Sequence, residues 1–190
     1  TDWKKYCELL KEGRFKEINL REKPTEDSLA KSGLAWTDLW QLVILPTCGE
    51  GVEIIRGSLM ALLKDGYPTE KMIVVLAMEE RAGEEAKGRA DIITKEFSDK
   101  FGKFLITWHP DGIEGELKGK GANQAWAIKV VKEKIIDAEN LAPEKILVSV
   151  FDIDTVVEPG YFFALSYKFL SVSKPYRASY QPIPVYHNNI

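Results

Sequence analysis

The chain is short of cysteine, of surplus basic residues and of long apolar runs, and each shortage excludes something. Only Cys7 and Cys48 occur among 190 residues. A disulfide-stapled scaffold is excluded, and two thiols so far apart read as free in a reducing compartment. Lys and Arg number 26 against 29 Asp and Glu, a net charge of −3. No surplus of cations exists to neutralise the phosphates of a nucleic acid. No stretch reaches the roughly 18 apolar residues that suggest a bilayer span, and no secretory leader is visible. No G-x-G-x-x-G follows the first apolar run, which argues against a dinucleotide oxidoreductase. In "GELKGKGAN", only three residues separate Gly115 from Gly119, and Gly121 stands where a P-loop has Ser or Thr. What remains is an ordinary globular composition on a length suited to one well-packed domain.

Residues 1–38 are charged and patchily apolar, with Trp3, Tyr6, Leu9 and Leu10 on one face of a short helix. They read as an N-terminal helical extension that ends in a loop around Pro24. From residue 39 the texture changes. Apolar runs at 39–46, 71–78, 103–110 and 145–151 read as buried strands. Helical stretches follow each of them, at 51–68, 83–102, 121–140 and 159–172. In the third of these, Ala125, Ile128, Val131, Ile135 and Ile136 mark the expected buried face. Residues 178–186, "ASYQPIPVY", read as an edge strand because of their prolines.

This alternation predicts an α/β fold: a mostly parallel sheet, right-handed crossovers and helices on both faces. Ligands of such sheets bind beyond the C-terminal ends of the strands. Thr47 and Glu50, Glu79 and Glu80, His109, and Asp152 and Asp154 all fall there. His109 reads as structural or exposed, and the tryptophans Trp108 and Trp126 as packing residues. Cys48 has no histidine near it in sequence and does not read as a nucleophile.

The sharpest feature is "ILVSVFDIDTVVEPGYF", an apolar strand that stops at two acids with one residue between them. On a strand, such side chains point the same way, with Cα atoms roughly 6–7 Å apart. At an effective dielectric of about 20 the two charges repel by roughly 2–3 kcal/mol. A divalent cation relieves that repulsion, and all-oxygen donors favour Mg²⁺ or Mn²⁺. Two chemistries use the pattern. "DIDTVV" fits the D-x-D-x-[TV]-[LV] motif of haloacid-dehalogenase-like phosphatases, whose first Asp attacks phosphorus. Those enzymes carry the motif on an early strand and need a later acidic pair. Here it sits on the last clear strand, and Glu158 is the final acid.

The other chemistry fits more positions. "VILPTCGE" resembles the first strand and loop of family 2 glycosyltransferases, V-I-I-P-[TA]-x-N-E. "LKGKGANQAW" is similar to their K-x-x-x-x-N stretch, with Lys118 and Asn123 in the matching places. "FDIDTVVEPGYF" is similar to their D-x-D followed by -P-x-x-[LF], and "YQPIPVYHNN" resembles the strand that follows in membrane-associated bacterial members. The resemblance covers about residues 40–190. Glu79 stands where the family has Asp, and Gly49 where it has Asn.

The resemblance implies a GT-A fold over 39–190 and metal-dependent binding of a nucleotide diphosphate-sugar, UDP-linked in the usual case. It implies inverting transfer to a carbohydrate or lipid acceptor. Pro46, Thr47, Glu50 and Glu79 would line the nucleoside pocket, and Lys118 would face the diphosphate. Asp152 would contact ribose or metal, and Asp154 would hold Mg²⁺ or Mn²⁺. The family's general base and its Q-x-x-R-W motif have no counterpart here, so the catalytic base is unassigned. The start at Thr1 and the end at "YHNNI" read as a donor-binding piece of a longer protein at the cytoplasmic face of a membrane. The remaining alternative is a GT-A-like binding domain without catalysis.

Overall fold

A computed structural model of the chain describes residues 1–20, 24, 33–117 and 119–182. Among these, four strands form one parallel sheet: β1 (Trp40–Pro46), β2 (Met72–Glu79), β3 (Lys103–His109) and β4 (Ile146–Val150), in the order β3-β2-β1-β4. Among the described residues the α-helices are α1 (Trp3–Lys11), α2 (Val52–Lys64), α3 (Gly83–Phe97), α4 (Lys120–Val131) and α5 (Tyr161–Ser171). The α/β architecture expected from the alternation is present, with helices on both faces.

The order follows from handedness. From β1 to β3 each strand is laid beside the last, and α2 and α3 pack on one face. Ile55 and Leu59 of α2, with Ala90 and Ile93 of α3, join Val43, Leu45, Val74 and Leu76 in a single core. To place β4 on the far side of β1, a right-handed crossover must pass over the opposite face. There Ala127 and Val131 of α4, with Ile135 beyond it, meet Leu42, Ile44, Ile73 and Val75. β1 and β2 are thereby buried on both sides, which explains their unbroken apolar runs. The loops after β1 and β4 leave neighbouring strand ends, and a crevice opens beyond them.

The N-terminal extension joins the main core, since Cys7, Leu9, Leu10 and Ile18 are buried in it. Trp3 lies 5.4 Å from the Tyr167 ring of α5. Phe162, Phe163, Tyr167, Phe169 and Leu170 make α5 a core helix.

Three expectations need correction. The fourth strand is not buried on both faces. Val148 and Val150 pair with Leu42 and Ile44, so they point to the α4 side, and they are 53% and 41% exposed. α4 covers β1 to β3 and stops short of them. The buried stripe of α4 is Asn123, Ala127 and Val131, continued by Ile135, while Ala125 and Ile128 face outward. The stripe repeats every fourth residue, and a π-helical stretch, Lys132–Asp137, keeps Ile135 in phase with it. Residues 178–182 form no strand, and 183–186 lie outside the described residues.

Candidate functional site

The crevice at the C-terminal ends of β1, β2 and β4 is a cleft of about 500 Å³. Pro46, Thr47 and Glu50 border it from the β1 loop, Glu79 from the end of β2, and Asp152 and Asp154 from the β4 loop. Sequence positions far apart are thus brought together as the strand-end rule requires. Lys118 lies outside the described residues.

The β1 loop is organised by its own glutamate. One oxygen of Glu50 accepts the Thr47 hydroxyl at 2.7 Å, the Cys48 amide at 2.9 Å and the Gly49 amide at 3.1 Å. Partial burial works to raise the pKa of this carboxyl. The three donors outweigh it and hold the carboxyl below its ordinary value. The Thr47 amide donates to Ala77 O at 2.9 Å, which locks the loop to β2. The acid also lies just before the first turn of α2, where the helix dipole favours a negative charge.

At the end of β2, Glu79 is buried at 7% exposure and paired with Arg81. Glu79 stands opposite His109 in the β2–β3 register. His109 is itself buried, 3.1 Å from Glu116 and edge-on to Trp126. Of the two readings, structural or exposed, the structure supports the first: the side chain is buried and partnered.

The two aspartates sit in a turn rather than on the strand, so the strand spacing argument does not apply to them. β4 ends at Val150, and the Thr155 amide donates to Asp152 O at 2.9 Å. The two acids nevertheless share one side. Ile153 between them is 4% exposed and turned into the core, while Asp152 and Asp154 are exposed at the cleft.

Three contacts fix the loop. The Phe151 amide donates to Ile44 O at 3.1 Å, and the Ser58 hydroxyl of α2 donates to Ile153 O. The Gly160 amide donates to Asp65 O at 2.8 Å. Gly160 has φ 87, the left-handed region, and so turns the chain into α5 where a side chain would be strained. The Asp65 carboxylate also accepts the Phe162 and Tyr67 amides.

Two basic residues of the cleft were missed in the sequence. Arg81 follows Glu79 by two positions and engages it. Lys120, the first residue of α4, forms an ion pair with Asp152. Neither matches a motif position, and only the fold places Lys120 beside the β4 loop. The cleft is lined by the carboxylates of Glu50, Glu79, Asp152 and Asp154 against these two cations.

Among the described residues, no three His, Cys, Asp or Glu side chains gather into a closed metal cage. Two exposed aspartates on one side of a turn suit a hard cation that takes few protein ligands and completes its shell with water and phosphate oxygens, as Mg²⁺ does. The donor set therefore fits Mg²⁺ or Mn²⁺ better than zinc. No helix among the described residues is long and apolar enough to cross a membrane. No protein-family model matches the chain, and no curated protein matches it.

Proposed function

We propose that the cleft binds a nucleotide diphosphate-sugar, UDP-linked in the first instance, and that the chain is the donor-binding part of an inverting glycosyltransferase with a GT-A-like fold. The observation that carries this reading is the meeting of three distant segments at one crevice. The β1 loop with Thr47 and Glu50, the β2 end with Glu79, and the Asp152–Asp154 turn all border it. A volume of about 500 Å³ lies within the ~300–1,000 Å³ that small-molecule sites occupy.

Pro46, Thr47 and the loop held by Glu50 form the wall for the nucleoside, with Glu79 accepting from the base or ribose. Asp152 and Asp154 hold the divalent cation at the diphosphate end, and Asp152 has the ribose within its range of partners. Lys118 stands with them at the diphosphate on the strength of the resemblance alone. When bound, Mg²⁺ or Mn²⁺ supplies Lewis-acid neutralisation of the leaving diphosphate. The acceptor, a carbohydrate or lipid, and the general base belong outside the residues assigned here. The cytoplasmic face of a membrane is the setting in which such a donor would be met.

The test is calorimetric titration of UDP and GDP with Mn²⁺ and with EDTA. UDP is expected to bind at least ~10-fold more weakly in EDTA, the scale of one lost charge-assisted interaction. Asp154→Asn removes most of that difference and leaves the fold intact. Equal UDP affinity with and without metal refutes the reading.

A further inference from the structure

Lys120 and Asp152 meet at the cleft, and both are well exposed, at 49% and 67% of their side-chain surface. Such a pair is weak and open to competition from ions. The other cation, Arg81, is held by Glu79, whose side chain is only 9% exposed. Lys120 is therefore the basic group of this cleft that leaves its partner more easily. Its ammonium is a compact charge with three donors on a flexible four-carbon stem, so it can turn from one oxygen to another nearby.

A diphosphate entering this cleft meets four carboxylates and two matched cations. It brings further negative charge to a surface that already has an excess of it. We propose that Lys120 is a diphosphate-binding residue held in reserve by Asp152. In the empty cleft its ammonium neutralises Asp152. As a diphosphate enters, Lys120 passes from the carboxylate to a phosphate oxygen, and Asp152 then turns with Asp154 to the divalent cation. This rests on the reading of the cleft as a diphosphate site, and it adds a residue that the sequence motifs do not include. The exchange replaces one charge-assisted pair by another, so it needs no cation left unpartnered at any stage.

The exchange has a signature of opposite signs. Lys120 competes with the cation for Asp152 but assists the diphosphate. With Lys120→Met, Mn²⁺ alone is expected to bind about 2- to 5-fold more tightly, the scale of an exposed pair. Inorganic pyrophosphate and UDP, each in saturating Mn²⁺, are expected to bind at least ~10-fold more weakly. Lys120→Arg restores most of the anion affinity. All are measured by calorimetry on the full chain, with thermal melts to show that each variant is folded. Pyrophosphate and UDP affinities within two-fold of wild type in Lys120→Met, or weaker binding of Mn²⁺ alone, overturn the proposal. If pyrophosphate binds through Lys120 and UDP does not bind, the nucleotide-sugar reading fails and Lys120 keeps its role. If UDP binds and ignores Lys120→Met, the reverse holds. If neither anion binds, both fall.

Discussion

The Ser58 hydroxyl donates to the main-chain carbonyl of Ile153, so α2 holds the turn that carries Asp152 and Asp154. Ser58 is 2% exposed and Ile153 is 4% exposed. The bond is therefore made away from water, and nothing in the solvent replaces it when it is lost. It presents the two acids by fixing the residue between them.

Ser58→Ala leaves that carbonyl buried without its donor. The expected cost is about 1–3 kcal/mol of stability, read from urea denaturation. Mn²⁺-dependent UDP binding is expected to weaken several-fold under conditions where the variant is folded. Unchanged stability and unchanged binding would show that the turn is held by other contacts.

Glu50 makes stability depend on acidity. Its folded-state pKa lies below the ordinary value of 4.5, because the Thr47, Cys48 and Gly49 donors outweigh the opposing effect of burial. Its contribution is therefore present above about 4.5 and is lost as the pH falls through the lowered folded value. Glu50→Gln is expected to cost about 1 kcal/mol at pH 7 and progressively less as the pH falls below the lowered folded-state value. Urea midpoints over a descending pH series check this, and a cost that stays constant down to the acid unfolding limit would contradict the assignment.

The two thiols are expected to differ in reactivity. Cys7 is fully buried, and burial, with the Glu8 charge adding to it, pushes its pKa up to about 12. Cys48 is half-buried at the cleft. Iodoacetamide at pH 8 should label Cys48 in the native protein and spare Cys7, as mass spectrometry of peptides would show. UDP with Mn²⁺ should slow the labelling of Cys48. Labelling of Cys48 that is indifferent to the nucleotide would place the nucleotide elsewhere.

Chemistry at Asp152 separates transferase from phosphatase. Beryllofluoride is expected to form no adduct there, and a generic phosphate ester should not be hydrolysed. On the proposed reading no residue is assigned as general base, so sugar transfer by these 190 residues is expected to be slow, since loss of a general base typically costs 10²- to 10⁴-fold. The assay compares this chain with a longer one over a panel of nucleotide-sugars. A stable adduct on Asp152 would reverse the ranking of the two chemistries, and robust transfer would reveal an unrecognised base.

The parallel core was legible because β1 and β2 are covered on both faces, which forces unbroken apolar runs. β4 read the same way for the wrong reason. The β-branched valine suits a strand whether or not its face is covered, so its presence does not record coverage, which depends on where α4 stops. The face of α4 was misread because Asn123 and Ala127 carry little apolar signal, yet Asn123 is 1% exposed and donates to Ala77 O at 2.8 Å. The acids that border the cleft could be placed at one end of the sheet because strand ends are fixed by the pattern. Lys120 was missed because its partner is distant in sequence, and no local spacing records that pairing.

The strand order also governs how the molecule assembles itself. β1 meets β2 after one short crossover, but Trp40 must wait for Ile146 before the β1–β4 ladder can begin. Pairings so distant in sequence slow folding, although the added entropy of the longer loop is small. The crevice lies beyond the ends of that same ladder, so its two walls come together only when the most remote pairing closes. During refolding, helical ellipticity should return first, and the capacity to bind nucleotide should lag behind it. Ligand binding would then serve as the clock for the final step, and a ligand that binds only the closed form would draw the chain through it.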